Sequence, residues 1–354
     1  MNTDTETTVR LRRRARSSAP FGVMLAIAVG IVGAVGVISA ADRQVGDVTR
    51  LSEFSDPDRQ AQLGDVLVAV DGPAINYLII GSDSREGSDP TSGDFGAIGD
   101  QGAVQGRRSD TIMILRQERD GNGAAILSLP RDLWLTIADT GNQQRINTAY
   151  GRGADVLAAT VTQNFGIPIN HVVDVDFFGF KALVEAIGGT TICFDYPARD
   201  AATGLVQDPG CNLLDGEQAL AYARSRKYEE FRDGEWRIDG TADLGRIERQ
   251  QKFIAQTVDE TISRLRSDPF LASELIDATT DSLRLDPNLD PLGAAGTLKK
   301  AFDSGLTTYQ LPVEGTTIDG NSVLLLVDND ESRAILDYFR GVGPLPTPPT
   351  TVPE

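Results

Sequence analysis

Apolar runs of strand length alternate with helix-like patterns through the middle of the chain, and this alternation indicates the fold class. The runs that predict buried strands lie at residues 75–80, 112–115, 124–129 and 171–175. Helical spacing of apolar residues predicts helices at 153–165 and 177–187. Because strands and helices alternate in this way, we predict an α/β domain with a central mixed β-sheet and helices on both faces.

The C-terminal part continues this alternation and then loses it. Helices are predicted at residues 269–285, 287–302 and 330–339, and strands at 308–311 and 322–327. Beyond Gly341 prolines recur, and they neither donate to a strand ladder nor continue a helix. We therefore predict one domain over residues 75–341 and a disordered tail over residues 342–354.

The N-terminal segment has the pattern of a single transmembrane helix. An uncharged apolar run over residues 21–41 has the length of about 20 residues that a bilayer's hydrocarbon requires. Five arginines precede it, namely Arg10, Arg12, Arg13, Arg14 and Arg16. Since basic residues stay inside, we predict a cytoplasmic tail at 1–20 and an extracytoplasmic domain. A cleaved signal peptide is the alternative, and residues 42–74 are a linker, a stalk or a short packed helix.

Two predicted helices beyond residue 215 concentrate the polar chemistry. Asp215 and Gln218 have the spacing of a helix N-cap and its reciprocal capping partner, and this helix leads to Arg224 and Arg226. A second helix is predicted to begin near Asp243. The apolar residues that then share one stripe are Ile247, Ile254, Val258 and Ile262.

Polar residues of both helices are candidates for an anion site. Residues three and four positions apart share a helix face, so packing of the two helices would bring these side chains together. The set comprises Arg224, Arg226, Asp243, Arg246, Arg249 and Gln250. Guanidinium groups hold phosphate through paired hydrogen bonds, so the functional interpretation is a phosphate clamp. The structural alternative is a solvated helix face with weak ion pairs.

Composition and charge exclude several function classes. The 354 residues, 40% of them hydrophobic, suffice for one large domain with appendages. A net charge of −18 argues against a general nucleic-acid binder, because phosphate backbones attract basic surfaces. His171 is the single histidine, which makes zinc chemistry improbable, and we assign it a structural role rather than that of a general base.

The two cysteines become interpretable once the domain is placed outside the cytoplasm. Cys193 and Cys211 form an even pair, and such pairs usually oxidise in an exported protein. We predict one disulfide that contributes about 3 kcal/mol by restricting the unfolded chain. Two buried free thiols are the alternative.

Two aspartates in separate turns are candidate metal ligands. Asp83 follows the predicted strand at 75–80, and Asp110 precedes the strand at 112–115. Carboxylates from two such turns can jointly hold Mg²⁺ while a substrate phosphate supplies further oxygens, although turn formation alone also explains them. The long Gly- and Asp-rich segment at 86–106 is expected to be mobile and to cover a site.

A third strand end carries a charged pair. Pro130 terminates the strand predicted at 124–129, which leaves Arg131 at its end. We expect Asp132 to orient Arg131 through a bidentate pair rather than to take part in chemistry.

Six sequence segments together resemble the signature of the LytR-CpsA-Psr family. They read GSDSR, RRSDT, ILSLPRDLWLTI, RINTAY, ALAYARSRK and DLGRIERQQ, in family order between residues 81 and 251. The family consists of membrane-anchored bacterial enzymes that attach lipid-linked glycopolymers to the cell wall. The resemblance implies that Asp83 and Asp110 bind the metal, Mg²⁺ with Mn²⁺ as the alternative. The side chains that it places on or around the substrate pyrophosphate are Arg85, Arg108, Arg131, Arg145, Arg224, Arg226, Arg246, Arg249 and Gln250.

The resemblance also implies a reaction. A glycopolymer would be moved from a polyprenyl pyrophosphate to peptidoglycan, with Arg131, Arg224, Arg226 and Asp243 as the residues closest to catalysis. Asp243 would orient an arginine, since a carboxylate surrounded by arginines is a poor base. Two alternatives stay open: a polyprenyl-pyrophosphate phosphatase with water as acceptor, and a noncatalytic protein that binds polyprenyl phosphate or wall polymer and signals.

Overall fold

The structure is a computed structural model that describes residues 65–82, 109–119, 123–225, 227–238, 283–286, 288–289 and 306–347, together with Thr257, Glu260 and Arg264. Its strands are β1 (Ala74–Ser82), β2 (Ser109–Glu118), β3 (Ala124–Leu129), β4 (Trp134–Thr136), β5 (Gln143–Arg145), β6 (His171–Val175), β7 (Thr190–Phe194), β8 (Ala198–Asp200), β9 (Leu205–Gln207), β10 (Gly210–Leu214), β11 (Glu229–Arg232), β12 (Glu235–Ile238), β13 (Leu283–Leu285), β14 (Leu306–Gln310), β15 (Val313–Ile318) and β16 (Asn321–Leu326). Its helices are α1 (Asn147–Tyr150), α2 (Ala154–Phe165), α3 (Phe177–Ala186), α4 (Gly216–Arg224) and α5 (Asp330–Arg340).

A six-stranded mixed sheet in the order β13-β6-β1-β2-β3-β14 confirms the predicted central sheet. β1 pairs in parallel with β6 and antiparallel with β2, and β3 pairs in parallel with β14. Both faces of the central strands are buried, since the neighbours Leu78 and Ile79 are 0% and 2% exposed. Such two-sided burial explains why the central strands read as continuous apolar runs rather than as alternating patterns.

The core beside the sheet is filled by two helices. Phe165 of α2 and Phe339 of α5 are almost fully buried and belong to the same apolar cluster as Leu78 of β1. α5 begins with a capping box formed by Asn329 and Ser332, and ends at Gly341 in the left-handed conformation. The predicted start of this helix at residue 330 is confirmed, and the helix runs to Arg340, one residue beyond the predicted end at 339.

The edge strand β13 corrects one prediction. The helical pattern assigned to residues 269–285 is wrong at its end, because Leu283–Leu285 pairs antiparallel with β6. Leu285 is 1% exposed at this position. Pairing with a distant strand outweighs the local helical spacing here.

Helix α4 confirms one half of a predicted cap. The Asp215 side chain accepts a hydrogen bond from Gln218 N at 2.8 Å, as expected for an N-cap. The Gln218 side chain does not complete the reciprocal pair; its Oε1 accepts from Gln207 Nε2 at 2.9 Å. The reason is tertiary, since β9 lies beside the helix and presents a donor to this carboxamide.

A second, four-stranded sheet in the order β12-β11-β8-β9 lies between residues 198 and 238, where the sequence analysis predicted no strand. Its β11–β12 hairpin turns at Asp233 and Gly234, both with positive φ, which is the backbone of the tight hairpin turn that Asp-Gly favours. The disulfide between Cys193 and Cys211 is present and joins paired positions of β7 and β10, as predicted.

Segments flanking the domain also contact it. Val68 N donates to Ile169 O at 2.8 Å, so part of the predicted linker packs on the domain. Tyr309 Oη donates to Pro346 O at 2.7 Å, which shows that the ordered chain extends beyond the predicted boundary at residue 341. The anchor predicted at 21–41 lies outside the described residues. Among the described residues, no helix combines the length and low polarity that crossing a bilayer needs.

Candidate active site

The structure describes a minority of the side chains predicted to form the site. Those described are Arg131, Arg145 and Arg224. Asp110 lies in β2, but its side chain is outside the description. Those that lie wholly outside the described residues are Asp83, Arg85, Arg108, Arg226, Asp243, Arg246, Arg249 and Gln250.

Arg131 and Arg145 are brought together by Asp132. One carboxylate oxygen of Asp132 lies 3.5 Å from Arg131 Nε, and the other lies 3.6 Å from Arg145 Nε. The two arginines come from different segments, the turn after β3 and the end of β5, and β5 pairs with β4 immediately downstream of Asp132. Asp132 therefore forms ion pairs with two predicted phosphate ligands at once, where the sequence interpretation assigned it only Arg131. Its closest approach to Arg131, 3.5 Å, is too long for the predicted bidentate pair of hydrogen bonds.

A backbone carbonyl also binds the guanidinium of Arg145. Its Nε and Nη2 donate to the carbonyl oxygen of Ser322 at 3.2 and 2.9 Å. The Arg145 side chain is 32% exposed and that of Arg131 is 25% exposed. Both are therefore fixed at their base yet open to solvent, as an anion-binding pair requires.

Arg224 ends helix α4, and a buried aspartate fixes the segment that follows it. Asp200 of β8 is 0% exposed, and its Oδ2 accepts from Ser225 Oγ and from Lys227 N, both at 2.7 Å. In the sequence, Arg226 lies between these two donors. Asp200 was not anticipated from the sequence, because its partners are about 25 positions away.

The two predicted metal ligands follow paired residues at one corner of the sheet. Asp110 lies within β2 and not in the turn predicted for it, because β2 already begins at Ser109. Ser82, which precedes Asp83 in the chain, pairs with Ser109, which precedes Asp110. A register shift between Gly81 and Ser82 disrupts the ladder here, as in the β-bulges that often adjoin functional sites. The hydroxyl of Ser109 at this corner is buried and has no hydrogen-bond partner among the described residues.

The carboxylate oxygens expected at that corner suit a hard cation. Mg²⁺ prefers oxygen ligands, and the paired positions before Asp83 and Asp110 fit a site that both carboxylates share. Within the described residues, no three His, Cys, Asp or Glu side chains lie close enough together to hold a metal ion, and the two expected ligands are not in that set.

Beneath the same corner lies a buried ionic network that the sequence analysis missed. Arg284 Nη1 donates to Asp174 Oδ2 at 3.2 Å, and Arg284 Nη2 donates to Asp176 Oδ2 at 3.0 Å. Tyr150 Oη donates to Asp174 Oδ2 at 2.6 Å. All four residues are less than 9% exposed. The network joins the segment that follows Arg145 to strands β6 and β13.

Burial sets the titration behaviour of this network. Desolvation raises the pKa of the Asp176 carboxyl above its ordinary value, although the Gly179 N–H and Arg284 oppose the rise. Desolvation, together with the Asp174 carboxylate, raises the pKa of Tyr150 well above its usual range, which keeps the phenol protonated as a donor. A signal was present in the sequence, since two aspartates inside the apolar run at 172–178 need a buried partner.

His171 also has a partner that the sequence did not reveal. Its Nδ1 lies 3.1 Å from Asp286 Oδ2, and its ring stacks on Tyr77 at 5.3 Å between centroids. Asp286 also accepts from Val172 N at 3.1 Å, which ties β6 to the residue after β13. A carboxylate therefore orients His171, and these contacts are those of a residue that holds strands together, in line with the structural role assigned to it.

Comparison with known proteins supplies the family. The LytR_cpsA_psr family model matches residues 48–337. The chain is 30% identical over 342 residues to a polyisoprenyl-teichoic acid–peptidoglycan teichoic acid transferase of Oceanobacillus iheyensis, covering 92% of this chain and 95% of the relative. It is also 30% identical to the cell wall biosynthesis protein LcpA of Corynebacterium glutamicum, with 76% of this chain and 54% of that protein covered.

A solved structure agrees with this assignment. The LytR-Csp2A-Psr enzyme from Actinomyces oris superposes with a TM-score of 0.56 at 26% identity, covering 77% of this chain and 95% of that one. The family model covers most of the chain, including every segment on which the sequence resemblance rested. The chain therefore belongs to the LytR-CpsA-Psr family.

Proposed function

We propose that this protein is a membrane-anchored phosphotransferase that moves a glycopolymer from a polyprenyl-pyrophosphate carrier to peptidoglycan. The observation that carries the proposal is the pairing of Arg131 and Arg145 on the Asp132 carboxylate, at a solvent-open position. Family membership supports the same reaction class, as does the similarity to the Oceanobacillus relative, which is named as a teichoic acid transferase.

The chemistry asks for charge neutralisation on the leaving group. Cleaving a pyrophosphate develops negative charge on the departing phosphate, and prearranged cationic donors stabilise it without reorganising. Arg131 and Arg145 are held in this way by Asp132 and Ser322 O. The remaining guanidinium groups would come from the segments ALAYARSRK and DLGRIERQQ, namely from Arg224, Arg226, Arg246 and Arg249. Gln250 and Asp243 would lie beside them.

A divalent cation belongs to the proposal as well. Asp83 and Asp110 would hold Mg²⁺, and the cation would supply further neutralisation of the substrate phosphates. Arg85 and Arg108 occupy the same two turns in the sequence and would contact or support the pyrophosphate. The backbone pairing of Ser82 with Ser109 supports this shared location.

The anchor completes the functional hypothesis. A transmembrane helix at 21–41 with a basic cytoplasmic tail would hold the domain at the outer face of the membrane. A polyprenyl carrier presents its glycopolymer at that face, so donor and enzyme would meet there.

The test is a transfer assay with the full chain in detergent. A prenyl pyrophosphate bearing a labelled oligosaccharide is incubated with purified peptidoglycan and Mg²⁺, and label bound to peptidoglycan is counted. We expect Arg224→Ala to lower kcat/KM at least a hundredfold, about 2.7 kcal/mol of lost transition-state stabilisation. Arg333→Ala removes an exposed arginine from α5 and serves as the matched control that retains native activity.

The products separate the alternatives. Free oligosaccharide phosphate that appears without peptidoglycan-bound label would identify a hydrolase. Binding of the donor without turnover, unaffected by a chelator, would identify a noncatalytic receptor. Transfer that does not depend on Arg224 would refute the proposed arrangement.

A further inference from the structure

One face of the four-stranded sheet β12-β11-β8-β9 is covered with exposed rings and apolar side chains. Phe231 and Trp236 are paired positions of the β11–β12 hairpin, 39% and 37% exposed, with ring centroids 5.4 Å apart. Ile238, two residues beyond Trp236 on the same face, is 65% exposed, and Val206 of β9 is 71% exposed. Phe231, Trp236 and Ile238 are neighbours on this face, and exposed apolar patches of this kind mark binding surfaces.

Charged groups are interleaved with these rings. The Arg199 guanidinium lies 4.0 Å from the centroid of the Trp236 ring, and Arg199 Nε donates to Glu229 Oε2 at 2.7 Å. Strand register places Arg199, Glu229 and Val206 on the ring-bearing face. The face therefore offers two aromatic rings in contact at a tilt of 58°, one of them under a guanidinium, with hydrogen-bonding groups beside them.

Two classes of partner suit this surface poorly. The hairpin from Glu229 to Ile238 carries four acidic and two basic side chains, a net charge of −2, within a chain of net charge −18. Phosphate-rich polymers and anionic lipid surfaces are repelled by such a segment. A pyranose ring has no charge, an apolar face of C–H groups that stacks on aromatic rings, and hydroxyls that bond to guanidinium and carboxylate groups.

The β11–β12 hairpin also lies close along the chain to residues of the proposed phosphate site. Glu229 is three residues after Arg226, so their Cα atoms are at most ~10 Å apart even in an extended chain. Asp243 is five residues after Ile238, which limits that distance to ~17 Å. On the N-terminal side of the hairpin, the Asp200 carboxylate accepts hydrogen bonds from Ser225 and Lys227. These bonds tie this segment to β8 of the same sheet. A group attached directly to the bound pyrophosphate would thus lie within reach of the hairpin.

We propose that the face formed by Val206, Arg199, Glu229, Phe231, Trp236 and Ile238 binds the sugar residues next to the pyrophosphate of the carrier-linked donor. This inference rests on the proposed function and assigns its donor-glycan subsite. The rings stack on the apolar face of a pyranose, and Arg199 and Glu229 bond to its hydroxyls. The bare prenyl pyrophosphate makes no contact with this face.

The test compares two ligands that differ only in sugar. Farnesyl methylenebisphosphonate, which resists cleavage, is titrated calorimetrically against the full chain in detergent, alone and carrying a di-N-acetylchitobiosyl group. We expect Trp236→Ala to weaken binding of the glycosylated ligand about tenfold, which corresponds to about 1.4 kcal/mol, and to leave the bare ligand unchanged. Trp236→Phe keeps a ring and retains binding within about threefold. Arg237→Ala, on the opposite face of the same hairpin, is the control that changes neither affinity.

Each remaining outcome has a defined meaning. Equal loss for both ligands, or no loss for either, overturns the glycan subsite. The fluorescence of Trp236 in a Trp134→Phe background should change when di-N-acetylchitobiose alone is added, and an unchanged spectrum would also count against the subsite. Loss of binding to phosphatidylglycerol vesicles in Trp236→Ala would reassign the face to the membrane. If the native protein transfers label and Trp236→Ala binds the glycosylated ligand as tightly as the native protein does, this inference alone is refuted. Failure of the native protein to bind the bare ligand refutes the proposed function.

Discussion

Replacing Arg284 by methionine should expose how strongly the buried network supports the floor of the site. The Arg284 side chain is 4% exposed and its two terminal nitrogens donate to Asp174 and Asp176, so methionine would leave two buried carboxylates without their cation. Removing one partner of a buried ion pair costs about 3–5 kcal/mol. We expect the free energy of unfolding of Arg284→Met to fall by that amount at neutral pH.

The loss should depend on pH in a defined direction. Burial already raises the folded-state pKa of Asp176, and removing the Arg284 charge, which lowers it, would raise it further. A carboxyl whose pKa is higher in the folded state favours folding when protonated, so its contribution is lost as pH rises through the folded-state pKa. Arg284→Met should therefore be most destabilised near pH 7.5 and less so near pH 5.

Urea unfolding followed by circular dichroism at pH 7.5 and pH 5.0 measures both effects. Adding Asp174→Asn to Arg284→Met removes one of the two buried carboxylates that lack a cation. The free energy of unfolding at pH 7.5 should then recover by about 1–2 kcal/mol, because the amide oxygen still accepts the hydrogen bond from Tyr150. Arg333→Met on the surface of α5 is the control and should unfold like the native protein. A loss below about 1 kcal/mol, or an equal loss at both pH values, would refute the reasoning.

Two further predictions concern Asp200 of the second sheet and the disulfide between β7 and β10. Asp200→Ala deletes a fully buried acceptor of hydrogen bonds from the segment after Arg224. The free energy of unfolding in urea should therefore fall by roughly 3–5 kcal/mol, and the KM for the donor should rise. A change under about 1 kcal/mol would show that other contacts hold this segment. Replacing both Cys193 and Cys211 by serine opens a loop of 18 positions and should lower stability by about 3 kcal/mol, and reductant should do the same to the native protein. An unfolding midpoint that does not respond to reductant would contradict this.

Local patterns determined much of this protein before any fold was known. The apolar runs located β1, β3 and β6, because strands buried on both faces are continuous in hydrophobicity. Cap chemistry located the start of α4, and apolar spacing located α5. The disulfide between Cys193 and Cys211 was predictable because an even pair of cysteines usually oxidises in an exported protein. Asp-Gly at 233–234 was a hairpin signal of the same local kind, and the sequence analysis passed over it.

Only the tertiary structure decided which charged groups meet. Asp174 and Arg284 are 110 positions apart, and Asp132 reaches Arg145 because β4 and β5 pair. β13 likewise became a strand only by pairing with β6, against its helical pattern. Periodicity reports which face of an element is buried, whereas strand pairing and buried ion pairs depend on partners far away in the chain, which no local pattern encodes.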